Sequence, residues 1–231
     1  MPAPLLRQAM GSFRCEFFQA FGQTEFPPVS MLTPADHRAI VAGEERLSGS
    51  VGRTQLGVRL EILDQEGQAL PTGALGEICV RGASGMRGYW KAPELITDAP
   101  RNGWHHTGDI GYLDDEGYLF VVDRMKDMII SGGMNVYPRE VERVIEAFDE
   151  VEQVAVIGVP SETWGEEVKA VIMIKSGGTL DSNSVIARCR EKMAGYKVPK
   201  SVNFVEHFEL SANGKVLKTV LREQFGDAPE R

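Results

Sequence analysis

The sequence predicts an α+β chain: a β-rich part over residues 1–123, folded as a distorted small barrel or curled sheet, then a mixed α/β module over residues 124–231. Three observations predict it. Short apolar stretches alternating with polar residues occur in the first half, the period-two pattern of half-buried strands. Glycines and prolines interrupt them repeatedly, and many short strands between such breaks favour a curled sheet. Beyond Asp123 and Arg124, apolar residues at helical spacing alternate with strand-like runs, which implies an α/β module of roughly a hundred residues.

Taken in order, residues 5–10 read as a short amphipathic helix, and residues 15–21 as a buried apolar strand feeding a turn at Gly22. Residues 33–49 are polar and loop-like, with one helical turn. Val58, Leu60 and Ile62 then alternate with Arg59 and Glu61, and Asp64-Gln65-Glu66-Gly67 turns the chain after them. Residues 77–81 form a strand between Gly76 and Gly82, while residues 110–113 and 118–122 flank the hairpin signal Asp114-Asp115-Glu116-Gly117. In the second part Pro138 suits the first position of a helix, where its missing N–H does no harm. Val141, Val144, Ile145 and Phe148 share one face of that helix. Residues 154–159, 168–174 and 202–205 read as strands, and residues 184–193 and 217–225 as helices. Neither an internal repeat nor a low-complexity segment is present.

Composition narrows the function classes. Hydrophobic residues at 42% supply a sizeable core, and a net charge of −8 argues against non-specific nucleic-acid binding. Cys15, Cys79 and Cys189 are far apart and odd in number, with no CxxC pair and no His/Cys cluster along the sequence. Neither a disulfide framework nor a structural zinc site is indicated, and a reducing, cytoplasmic setting fits. No stretch approaches the ~18 apolar residues of a membrane span.

Five constellations carry chemistry. In Phe21-Gly22-Gln23-Thr24-Glu25, a glycine after an apolar run lets backbone approach a ligand, Thr24 offers a hydroxyl and Glu25 a hard oxygen for a metal. The stretch 76–82, continuing to Arg87-Gly88-Tyr89-Trp90, is a strand between turns whose aromatics pack, with no catalytic role assigned. In Trp104-His105-His106-Thr107-Gly108-Asp109, a carboxylate after a glycine turn can accept hydrogen bonds from vicinal hydroxyls such as those of a ribose. His105 and His106 would point to opposite faces of a strand and so not chelate one ion; both are read as structural or solvent-facing. The fourth constellation, residues 122–138, ends in the loop Ser131-Gly132-Gly133, whose backbone can pass close to a ligand chain. In the fifth, Asn213-Gly214 makes a tight turn that projects Lys215, a cation suited to a phosphate or carboxylate whose charge rises during reaction.

Together these five stretches resemble the adenylate-forming superfamily: acyl-CoA synthetases, aryl-CoA ligases, firefly luciferase and the adenylation domains of peptide synthetases. The likeness covers nearly the whole chain, with the motifs in family order. It implies that residues 1–123 are the last part of the large AMP-binding N-terminal domain and residues 124–231 the mobile C-terminal domain. Thr24 matches the family's phosphate contact and Glu25 its magnesium ligand. Asp109 and Arg124 match the pair that binds the adenosine ribose, and Lys126 the hinge. Ser131, Gly132 and Gly133 match the loop lining the pantetheine tunnel, and Lys215 the lysine bridging substrate carboxylate and ATP α-phosphate. The resemblance thus implies ATP or AMP, Mg2+ and coenzyme A as ligands, a carboxylic acid as substrate, and two half-reactions, adenylation and then thioester formation.

The sequence departs from the family at several points. The family's Ser/Thr/Gly-rich phosphate loop is not found. Only about twenty residues precede Gly22, whereas the preceding subdomains need on the order of several hundred residues. The expectation is a segment cloned for expression, a truncated gene or one part of a split enzyme, unable to complete adenylation alone. Residues 5–21 are then expected to be poorly supported, or paired with the missing N-terminal portion or a second copy. ATP–pyrophosphate exchange by the isolated chain would refute that expectation. Phe21 replaces a commoner tyrosine, Gln23 a frequent methionine, and Ser211-Ala212-Asn213 a threonine-containing turn. Residues 128–140 and 32–37 look most like bacterial fatty-acyl or aryl-CoA ligases. The alternatives are a carrier-loading adenylation domain and a non-catalytic binding or assembly fragment.

Overall fold

In a computed structural model the described residues are 3–13, 15–92, 103–212 and 214–226. The chain divides into two compact units, Met1–Met125 and Lys126–Arg231.

The first unit runs α1 (Ala3–Phe13), β1 (Gln19–Gln23), β2 (Phe26–Leu32), α2 (Pro34–Val41), β3 (Ser50–Thr54), β4 (Val58–Leu63), β5 (Gly76–Gly82), β6 (His105–Leu113) and β7 (Tyr118–Arg124). The strands form one seven-stranded sheet in the order β1-β2-β3-β7-β6-β5-β4, with every recorded pair antiparallel. All seven strands contribute to one apolar cluster, from Phe21 and Phe26 through Val51, Ile62 and Ile78 to Leu113 and Leu119. A sheet whose two ends reach the same core must curl. β1 and β4 remain its edges, so it is a curled sheet rather than a closed barrel.

Local physics explains where sequence expectation and structure part. The run expected as a buried strand over residues 15–21 becomes a strand only from Gln19, and Phe18 is exposed. Gly22 lies inside β1, and the turn falls on Thr24 and Glu25. The first segment is not poorly supported: β1 pairs with β2, and Leu6 is buried against Leu32, Ile40, Leu47 and Tyr118. The pair Pro27-Pro28 hides β2, because a proline has no N–H to give a ladder. β2 tolerates it because Pro27 and Pro28 fall outside the recorded pairs with β1 and β3, where the β1–β2 register shifts. The stretch expected as loop contains α2, started by a capping box. Thr33 N donates to Asp36 Oδ2 at 2.7 Å, and Thr33 Oγ1 accepts from Asp36 N.

The second unit runs β8 (Ile129–Ser131), β9 (Met134–Val136), α3 (Pro138–Glu146), β10 (Val151–Ser161), β11 (Gly165–Ile174), α4 (Ser182–Arg190), β12 (Ser201–Phe204) and α5 (Lys218–Phe225). β11 pairs antiparallel with β10 and β8 and parallel with β12. β10 is apolar on both faces, and each face has a cover. Val154 and Val156 pack with Val141 and Ile145 of α3 and Val185 and Cys189 of α4. Ala155, Ile157 and Val159 pack with Phe208 and with Leu221 of α5. This is why residues 154–159 read as a continuous apolar run rather than an alternating one. Buried Glu142 joins the layers, accepting from Val156 N at 3.0 Å and pairing with Lys218 Nζ at 2.7 Å.

Candidate active site

β1 ends at Gln23 and β2 begins at Phe26, so Thr24 and Glu25 form the turn between them. The β6–β7 register sets Asp109 opposite Arg124. Both places border one cavity of about 440 Å³ in the first unit, with Gln23, Thr24, Glu25, Tyr89, His105 and Arg124 in its wall. Asp109 is buried behind that wall. Its Oδ1 accepts from Arg124 Nε at 2.7 Å, and its Oδ2 accepts from Gln23 Nε2 at 3.1 Å. Gln23 also donates to Thr107 O at 2.6 Å.

A bulge aims Asp109. Between the pairs Glu77↔Ile110 and Cys79↔His106 the register shifts, so β6 carries extra residues. Gly108 takes them up with a φ of +67°, a value glycine adopts without strain. Thr107 Oγ1 donates to Ile78 O at 2.8 Å and accepts from Asp109 N at 3.1 Å, while Gly108 N donates to Glu77 Oε1 at 3.1 Å. Bulges commonly re-aim a side chain in this way.

Glu25 is held by residues 86–89. Tyr89 Oη donates to Glu25 Oε1, and Met86 N donates to Glu25 O at 2.7 Å. The tyrosine hydrogen bond is the largest influence holding the Glu25 carboxyl below its ordinary value of 4.5; a backbone N–H and the charges of His105 and Arg124 add to it, and burial opposes it. Stability from a depressed carboxylate is present above its unfolded pKa and is lost as pH falls through the folded one. Glu25 is therefore ionised at neutral pH. With the Thr24 hydroxyl beside it, it offers the hard oxygens that magnesium takes alongside phosphate, so the residues present fit that ion. Tyr89→Phe is expected to raise the Glu25 pKa toward 4.5. Carboxyl carbon-13 titration, with Glu25→Gln identifying the resonance, measures it, and an unmoved titration would count against the coupling.

The histidines separate as the strand pleat requires. His105 stacks on Phe26 with ring centroids 5.9 Å apart. His106 turns toward Glu77, with Nδ1 2.7 Å from Oε2, and lies 3.4 Å from Cys79 Sγ. Burial, followed by the charges of Glu77 and Glu61, pushes the Cys79 thiol up to about 12. Sequence reasoning missed this cluster, and it missed Tyr89 and Gln23. Tyr89 was read as packing and Gln23 only as a departure from methionine. Their partners lie 64 and 86 residues away, beyond any local signal.

In the second unit, Lys126 is exposed in a short 3-10 turn at the unit's first residue. Asp127, next to it, accepts from Arg222 of α5 at 2.8 Å. Gly132 and Gly133, with φ of +57° and +77°, make the two-residue turn of the β8–β9 hairpin, the conformation such a hairpin turn demands. Ser131 before them is buried. Gly132 N donates to Trp164 O at 2.9 Å, and a Cβ on Gly132 would lie 2.7 Å from Trp164 Cε3. Gly132→Ala is therefore expected to cost roughly 1–2 kcal/mol for the left-handed backbone, plus displacement of the indole. Urea denaturation followed by far-UV circular dichroism measures it; an unchanged midpoint would contradict this packing.

Lys215 is exposed at the end of a small loop. Its own N–H donates to Ser211 Oγ at 3.1 Å, its carbonyl accepts from Ser211 N at 2.7 Å, and Gly214 N donates to Ser211 O at 2.8 Å. Asn213, expected to share the turn with Gly214, lies outside the described residues. Among those residues the Lys215 ammonium has no hydrogen-bond or ion-pair partner. Thr24, Glu25 and Arg124 thus line one cavity of the first unit, with Asp109 buried behind it and paired to Arg124. Lys126, Ser131, Gly132, Gly133 and Lys215 belong to the second unit, where no recorded contact joins the Ser131–Gly133 turn to Lys126 or Lys215 among the described residues.

Comparisons with known proteins agree on the class. Residues 1–90 match the family model for the AMP-binding enzyme, and residues 140–215 match that for the AMP-binding enzyme C-terminal domain. A feruloyl-CoA synthase from an Amycolatopsis species is 42% identical over 210 residues, covering 91% of this chain and 42% of the relative. A long-chain-fatty-acid–CoA ligase from Escherichia coli O157:H7 is 39% identical over 206 residues, covering 89% and 35%. Among solved structures, ATP-bound MatB from Rhodopseudomonas palustris aligns with a TM-score of 0.85 at 35% identity, over 98% of this chain and 44% of that one. MenE, the o-succinylbenzoate CoA synthetase of Bacillus subtilis in complex with its acyl-adenylate, aligns with a TM-score of 0.80 at 32% identity, over 99% and 44%. The class is that of the adenylate-forming enzymes. The chain belongs to the AMP-binding enzyme family, on its CoA-ligase side, and its second unit carries the family's C-terminal domain. It spans less than half the length of the curated relatives it matches.

Proposed function

We propose that this chain forms the nucleotide-contacting and C-terminal parts of an ATP-dependent carboxylic acid–CoA ligase acting on a fatty or aromatic acid. The observation that supports this most directly is the meeting of the Thr24-Glu25 turn with the Asp109–Arg124 pair at one cavity. Residues 1–123 and 124–231 correspond, in this reading, to the end of the AMP-binding domain and to the C-terminal domain. Asp109, with Arg124 fixing its orientation, accepts from the ribose hydroxyls, and Thr24 donates to a phosphate oxygen. Glu25 holds magnesium, which supplies charge neutralisation at the phosphates when bound.

In the first half-reaction a carboxylate oxygen of the acid forms a bond to the α-phosphorus as the bond to pyrophosphate breaks. Lys215 offsets the charge that gathers on the α-phosphate and carboxylate oxygens. In the second, the CoA sulfur displaces AMP from the acyl carbon, with the Ser131–Gly133 loop lining the pantetheine path and Lys126 acting as the hinge between half-reactions. The backbone of Gly132 and Gly133 carries no side chain to obstruct a ligand chain. A CoA-consumption assay of the complete enzyme against a panel of fatty and aromatic acids tests the reading. AMP and a thioester should appear in equal amounts, and ADP in place of AMP would overturn it.

A second acceptor is favoured by one finding. A fatty acid–[acyl-carrier-protein] ligase, ScoC of Streptomyces coeruleorubidus, is 36% identical over 98% of this chain. Transfer to a phosphopantetheinylated carrier protein with no transfer to CoA would select that acceptor.

A further inference from the structure

The cavity's hard-oxygen donors lie beside a second donor set of different chemistry. β5 and β6 are antiparallel neighbours, and Cys79 faces His106 across their ladder. Glu77 precedes Cys79 by two residues, so the pleat turns both side chains to the same face of the sheet. One donor atom from each of Glu77, Cys79 and His106 lies within 4.8 Å of the other two. The sulfur of Cys79 is 3.4 Å from His106 Nδ1, and Glu77 Oε2 is 2.7 Å from that same nitrogen.

These separations can be set against a metal's needs. Tetrahedral zinc, with bonds of about 2.0–2.3 Å, places its ligand atoms about 3.3–3.7 Å apart. The sulfur–nitrogen pair already fits. The oxygen–nitrogen pair must open by roughly 0.6 Å to reach that range, a small movement at the end of a glutamate side chain. Cys79 is fully buried, whereas the His106 and Glu77 side chains are 16% and 14% exposed. A cation can therefore enter from their side.

We propose that Glu77, Cys79 and His106 form a binding site for a thiophilic divalent cation of the zinc class, with thiolate, imidazole Nδ1 and carboxylate as ligands and water in the fourth position. Sulfur and nitrogen donors select zinc-like ions over magnesium, which takes oxygen ligands in octahedral geometry. The site is thus chemically distinct from the one at Glu25. Binding forms metal–sulfur, metal–nitrogen and metal–oxygen bonds and releases the Cys79 thiol proton to solvent. The imidazole binds in its Nε2-protonated tautomer. Glu77 Oε1 also accepts from Gly108 N, one residue before Asp109, so uptake of the ion acts on the bulge that aims Asp109.

The test uses the whole chain carrying Cys15→Ser, which removes the one exposed thiol; Cys189 is buried in the second unit. Cobalt(II) is titrated without oxygen and with a phosphine reductant. The expected result is uptake of one equivalent, with a thiolate-to-cobalt charge-transfer band in the near ultraviolet and the intense visible bands of four-coordinate cobalt. One equivalent of zinc should erase both. Adding Cys79→Ala should remove the charge-transfer band, and His106→Gln should weaken binding by at least about tenfold while keeping the band. Weak six-coordinate absorption without charge transfer overturns the proposal, as does a band that survives Cys79→Ala. Should Cys79→Ala fail to fold by circular dichroism, His106→Gln decides, and unchanged affinity there overturns it as well.

Discussion

Replacing Lys215 with alanine in the complete enzyme is expected to lower ATP–pyrophosphate exchange by about 10²–10³-fold, the usual cost of removing one preorganised donor from a developing negative charge. Thioester formation from supplied acyl-adenylate is expected to stay within about twofold. The structure makes this a clean experiment. Lys215 is exposed, its loop is closed through backbone groups and the Ser211 hydroxyl, and its ammonium has no partner among the described residues. Losing the side chain therefore removes charge from the reaction without removing a contact from the fold. Equal loss of both half-reactions would sink the assigned role.

Asp109→Asn is expected to weaken Mg·ATP binding, measured by calorimetry on the complete enzyme, by about 10- to 100-fold. Hydrogen bonds to a charged group contribute about 1.5–3 kcal/mol each, more than their neutral counterparts, and the substitution removes the charge while keeping the shape. Its effect on the fold should be small. Arg124 is 47% exposed in its side chain and can be solvated without its partner. Gln23 keeps its bond to Thr107 O. ATP affinity unchanged by the substitution would remove Asp109 from the nucleotide's contacts.

The sequence disclosed the elements whose signals are local. Val58, Leu60 and Ile62 alternate because β4 has one buried face, and Pro138 announced α3 because a first-turn proline gives up nothing. β2 and α2 stayed hidden for opposite reasons. Pro27-Pro28 contradicts a strand that is permitted only because both prolines fall outside the recorded pairs. α2 is short and polar, and only its Thr33–Asp36 cap marks its start. The same division holds at the site. Thr24, Glu25, Asp109, Arg124 and Lys215 stood out through family motifs. Gln23, Tyr89 and the Glu77–His106 pair act through partners that only the curled sheet brings near. No spacing rule could have found them.

The two apolar layers of the second unit, one under α3 and α4 and one under α5, are each furnished wholly by that unit's own residues. The layers of the first unit are likewise its own. A genetic crossover between the codons for Met125 and Lys126 would therefore divide none of these clusters among the described residues. Selection can then act on the second unit as an inherited cassette that carries these apolar layers with it. Such modular descent would leave sequence divergence free to differ on the two sides of that junction.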